Sequence, residues 1–173
     1  TLPYFYILDA VHAFILQNDT LIYGGDNFCG STTPCNLRKY NIKTRSPINW
    51  NVTSPDYGSI RHIALSPDSA VLMYGGAHIG VSEEFIRGVN NKWGTLLYQI
   101  DLSSYWPSGH HSALLKGLKS VGDKMYAAGV FAHVLWHDDV FFKKGFFAFD
   151  ARTGYIYPED LGLDGNAYFL EAN

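Results

Sequence analysis

Two histidines and two aspartates fall within seven residues at His133-Val134-Leu135-Trp136-His137-Asp138-Asp139. Imidazole nitrogens and carboxylate oxygens both bind divalent transition metals, so His133, His137, Asp138 and Asp139 are the candidate metal ligands. An i, i+4 histidine pair converges on a metal when a helix carries it on one face. This stretch has no helical periodicity, and solvated or hydrogen-bonded histidines fit it as well. Glu83 and Glu84 are a second acidic pair. Two carboxylates hydrolyse a glycoside when they stand a defined distance apart across a sugar, whereas adjacent ones commonly make a solvated face.

Other chemistries find no foothold. The chain has no Gly-x-Ser-x-Gly elbow, no cysteine beside a histidine and no dinucleotide fingerprint. Gly75 and Gly80 have the glycine spacing of a phosphate loop, but Val81-Ser82 follows where a lysine is needed. No cofactor is required by the sequence. The scattered lysines and arginines, with a net charge of −3, leave no footprint for nucleic acid. The weakly polar run from Met125 to Trp136 is shorter than the roughly 20 residues of a membrane-spanning helix.

Cys29 and Cys35 bracket a turn-rich Gly-Ser-Thr-Thr-Pro, short enough for a local disulfide; two reduced thiols are the alternative. With no Cys-x-x-Cys spacing they do not suggest zinc. Asn18-Asp19-Thr20 and Asn51-Val52-Thr53 match the glycosylation acceptor pattern at Asn18 and Asn51. Together these features point to an extracellular or cell-surface protein. The opening Thr1-Leu2-Pro3, with no charged-then-apolar leader, reads as a processed chain or a piece of a longer one.

The elements that must position these groups repeat. Leu21-Ile22-Tyr23-Gly24-Gly25 returns as Leu72-Met73-Tyr74-Gly75-Gly76 and, more loosely, as Met125-Tyr126-Ala127-Ala128-Gly129. Tyr23, Tyr74 and Tyr126 recur at intervals of 51 and 52 residues, the mark of one supersecondary unit written three times. An aromatic share of 16% and seventeen glycines favour strands joined by tight turns. The expected repeats run 11–58, 59–112 and 113–165, with a partial repeat or strand-exchange segment at 1–10 and the start of a fourth at 166–173.

Four strands are expected in the first repeat, at 11–17, 20–24, 36–41 and 48–52. In the second they fall at 59–66, 70–75 and 95–102, with an irregular fourth; in the third at 114–121, 124–129, 145–150 and 155–157. First-to-second and third-to-fourth turns are short, so the length gathers in loops at the other end, including 77–94 and 130–144. Loops on a rigid scaffold are where binding commonly resides. That face is expected to carry His78, Glu83, Glu84, Arg87, Trp93, Trp106, His110, His111 and Trp136, besides the four candidate metal ligands. Tryptophans there would suit sugar stacking or anchoring a partner; plugging gaps between repeats fits them equally. His12 and His62, by contrast, fall in first strands, as hydrogen-bonded interior or channel-lining residues.

Ala64-Leu65-Ser66-Pro67-Asp68-Ser69 resembles the first strand and turn of a WD40 blade, and Tyr-Gly-Gly closing a second strand resembles kelch repeats. Phe147-Ala148-Phe149-Asp150-Ala151-Arg152-Thr153-Gly154 is similar to quinoprotein-type and delta-sixty surface-protein blades, and the whole repeat is most similar to the last. The Trp-Asp pair of WD40 third strands is absent, and Tyr40 and Trp50 are too far apart for a strict kelch motif. The resemblance implies an all-β, β-propeller-like fold of about three four-stranded blades with partial blades at both ends. It carries no family's active site.

The function this implies is non-enzymatic: an extracellular or surface module for protein or glycan binding and assembly. Three blades leave open edges, so other copies of the chain, or the remainder of a longer propeller, are the expected partners. A glycan-active or quinoprotein-like enzyme using the acid- and histidine-rich face is the first alternative. A structural subunit polymerising through open sheet edges is the second.

Overall fold

A computed structural model describes residues 10–26, 36–50, 52, 58–78, 84–103, 113–158 and 167. The chain is all-β, as its composition predicts, and its strands form three antiparallel sheets, none closed on itself. No helix appears among the described residues, and none is long and apolar enough to cross a membrane.

The first sheet follows the expected repeat: β1 (Val11–Gln17), β2 (Thr20–Gly25), β3 (Leu37–Asn41) and β4 (Ser46–Ile48), in the order β1-β2-β3-β4. The last strand begins two residues and ends four residues earlier than expected. Asn18 turns the first hairpin at φ 51°, the left-handed conformation that asparagine tolerates better than most residues.

The second sheet departs from expectation. Its strands are β5 (Gly58–Leu65), β6 (Val71–His78), β7 (Glu84–Asn90) and β8 (Leu96–Ser103). The segment 84–90, expected in a long loop, is the third strand, and 96–103 is therefore the fourth. Glu84 and Arg87 suggested a solvated stretch, yet both are buried, on a strand covered on both faces. A hairpin, β11 (His133–Trp136) and β12 (Asp139–Phe142), occupies the other long expected loop and extends this sheet to the order β12-β11-β8-β7-β6-β5.

The third sheet is β9 (Leu114–Val121), β10 (Lys124–Val130) and β13 (Phe146–Asp150), ordered β13-β10-β9. Its expected fourth strand is reduced to a single antiparallel bridge between Phe149 and Ile156. The third-to-fourth turns share one device. Asn41, Asn90 and Asp150 each accept backbone N–H groups two and three residues on, at 2.8–3.0 Å, and Arg45, Gly94 and Gly154 follow in the left-handed conformation.

The sheets stack in chain order. Ile22 and Leu37 of the first pack with Ile60, Leu72, Tyr74, Phe85 and Val89 of the second. Val71, Met73, Ile86 and Ile100 on the other face of the second pack with Leu115, Met125, Phe147 and Phe149 of the third. The first strands are neighbours, β5 lying between β1 and β9. Gly24 lets this happen: a Cβ there would stand 2.6 Å from Ile60 Cγ2, and one on Gly75 would collide with Leu115 in the same way.

Candidate functional site

The pairing of each first strand with its second slips by one residue at one place. Val11 pairs with Gly25 and Ala13 with Gly24; Ile60 pairs with Gly76 and His62 with Gly75; Leu115 pairs with Gly129 and Gly117 with Ala128. The extra residue is His12, Arg61 and Lys116 in turn, so three equivalent β-bulges each present a basic side chain. Bulges re-aim side chains and concentrate beside functional sites. This register aligns Gly129, not Ala128, with Gly76, and moves Tyr126 one place off Tyr74. A Cβ on Gly76 would collide with the Ser59 carbonyl oxygen, and one on Gly129 with that of Leu114.

Acidic partners stand beside two of the bulges. His12 Nε2 lies 2.8 Å from Asp26 Oδ2, and Arg61 Nη1 donates to Glu84 Oε1 at 3.1 Å. Glu84 Oε2 also accepts the Leu115 backbone N–H, so this buried carboxylate joins the second sheet to the third. Burial raises its pKa despite that N–H and the Arg61 and Lys116 charges. The Ser59 hydroxyl first, and then His12, lower the Asp26 pKa against its partial burial. His62 Nε2 is 2.8 Å from the Leu115 carbonyl, and burial lowers its pKa. Arg61 and Lys116 remain exposed. The result is a row of basic and acidic side chains across the first strands β1, β5 and β9, at the end where β2 and β6 finish.

Of the residues expected on one face, this end gathers Glu84, with His78 at the close of β6. Arg87 lies deeper, buried, its Nε donating to Gln99 Oε1 at 2.8 Å and its guanidinium 4.7 Å from the Phe85 ring centroid. Trp93 sits in the turn between β7 and β8, at the opposite end of the sheet, with Lys92 over its ring. Trp136 packs edge-on to Tyr155, beside Gly154.

The candidate metal ligands are spread along the β11–β12 hairpin. His133 pairs with Phe142 at the open end, and His137 and Asp138 form the tip. Four strand steps of about 3.3 Å put the two histidines roughly 13 Å apart along the strand. His133 packs against Phe142, with ring centroids 4.8 Å apart, and His137 turns the chain at φ 53°. Among the described residues no three His, Cys, Asp or Glu side chains converge as a metal site. Asn18 is exposed in its turn, open to glycosylation. Glu83, Trp106, His110, His111, Cys29, Cys35 and Asn51 lie outside the described residues, as does the side chain of His78.

The bulge residues were legible as types but not as a set. No fixed interval marks them, since the bulge precedes its paired glycine by 13 residues at His12–Gly25 and Lys116–Gly129 but by 15 at Arg61–Gly76. No family model matches the chain, and no curated protein matches it.

Proposed function

We propose that the protein is a non-enzymatic β-propeller-type module that binds a protein or glycan ligand at the bulged ends of its inner strands, on the cell surface or outside the cell. One observation carries the reading: the same bulge, with His12, Arg61 and Lys116 in turn, recurs at the same end of three stacked sheets. A packing device needs no basic residue in all three copies, whereas a shared ligand surface does. The propeller arrangement is favoured by the way each sheet lays its first strand beside the first strand of the next. Asp26 and Glu84 interleaved with His12 and the exposed Arg61 and Lys116 suit a polar ligand bearing both hydroxyl and acidic groups.

A glycan array and a surface-protein library, probed with the wild type and with Arg61→Ala/Lys116→Ala, test this. Binding should weaken about tenfold or more in the double variant, since charged hydrogen bonds contribute roughly 1.5–3 kcal/mol each. Equal binding by both proteins would move the ligand surface elsewhere.

A further inference from the structure

The register of the bulges also equates residues that pack between sheets. Val11, Ile60 and Leu115 face Gly25, Gly76 and Gly129, while Phe14, Ile63 and Leu118 face Tyr23, Tyr74 and Ala127. In the second sheet Ile60, Ile63 and Leu65 pack against the first sheet, and in the third Leu115 and Leu118 pack against the second. Ile60 and Leu115 are each only 2% exposed. Their counterparts in the first sheet are open: Val11 is 41% exposed, Phe14 69% and Leu16 59%.

From this we infer that the outer face of the first sheet docks a further four-stranded sheet of the same repeat, carried ahead of β1 in the same polypeptide. The inference deepens the propeller-type reading above and rests on it. Both existing interfaces define what that sheet presents. Its second strand offers a glycine or alanine to Val11, as Gly24 does to Ile60 and Gly75 to Leu115.

Its first turn offers an acid to Lys43. Between the third and second sheets Arg152, two residues past its turn-capping Asp150, donates to Asp68 in the first turn of the preceding sheet, whereas Lys92, in the same place past Asn90, lies over Trp93. Lys43 holds the same place past Asn41. Each first turn of this chain contains an aspartate, Asp19, Asp68 or Asp123. A second copy is a poorer occupant. Its far face on the third sheet would have to receive β1, and Ala128 and Ala148 there are already 0% and 4% exposed.

Carbodiimide crosslinking and hydroxyl-radical footprinting of the polypeptide as its source makes it, read by mass spectrometry, test the inference. The expected result is a Lys43 crosslink to an acid in sequence preceding β1, with Phe14 protected from oxidation, and Phe14 readily oxidised in the 173-residue chain alone. A Lys43–Asp123 crosslink between copies, an exposed Phe14 in the natural polypeptide, or no sheet-forming sequence ahead of Val11 would each overturn it. Phe14→Asp gives a second measure: it should lower the melting temperature of the natural polypeptide and leave that of the 173-residue chain unchanged. Neither result depends on ligand, so loss of the bulge-face activity and loss of this interface are separately observable.

Discussion

Lys39 is a cation almost removed from water. Its Nζ donates to the Asn91 backbone carbonyl and to Asn91 Oδ1, the latter at 2.6 Å, and lies 4.0 Å from the Trp50 ring centroid. Burial pulls its pKa down to about 8 from 10.5. Between those values the unfolded chain binds the extra proton, so folding stability should rise with pH across that window and stay level below it. Urea melts of the wild type and Lys39→Met at pH 7 to 10.5 should diverge in the wild type's favour above pH 8; a constant difference would refute the assignment. At the hairpin tip, His137 pays for its left-handed backbone with a Cβ clash of about 1 kcal/mol. His137→Gly should therefore raise stability by about that amount in thermal unfolding, with zinc affinity unchanged. A destabilised variant with weaker zinc binding would restore the metal reading.

At the scale of the strands, the glycines divide by what surrounds them. Gly76 lies where β6 pairs with the bulged β5, and any Cβ there meets backbone that cannot move aside. Gly122 turns the β9–β10 hairpin at φ +60° with nothing within 4 Å of a Cβ. Gly76→Ala should cost about 1–3 kcal/mol or more by overpacking, while Gly122→Asn should be nearly neutral, since asparagine accepts that conformation. Chemical denaturation of the two variants separates these causes, and equal costs would mean that the bulge is not packed as described. The turns carried a signal of this kind that the glycine repeat obscured. Asn90-x-x-x-Gly94 matches Asp150-x-x-x-Gly154, and because a turn of that form ends a third strand, it marks β7 as the third strand of its sheet.

Over the whole molecule, a few buried polar residues fasten sheet to sheet. Asn91 bonds to Lys39 and Gln17 of the first sheet and to the Ser69 carbonyl of its own. Asn36 donates to the Gly58 carbonyl, and Glu84 ties Arg61 to Leu115 further along the stack. Each link pairs groups that would be costly to bury alone. Asn91→Ala should loosen the first sheet locally, speeding hydrogen exchange in β1 to β4 while β9 and β10 keep their protection. Uniform acceleration throughout would show that the three sheets unfold only as one unit.

What the sequence determined by itself was the all-β class, the first sheet's four strands, the first two strands of each later sheet and the third strand of the third. Alternating apolar residues and turn chemistry act between near neighbours, so Val11–Gln17 or Lys124–Val130 can be read locally. The tertiary structure decided where charge could be buried and which strand joined which sheet. Glu84 and Arg87 look solvated until Arg61, Leu115 and Gln99 supply partners from other strands. The β11–β12 hairpin looks like a loop until β8 offers it an open edge. Partners distant in sequence set both outcomes, through hydrogen bonds that no local pattern encodes.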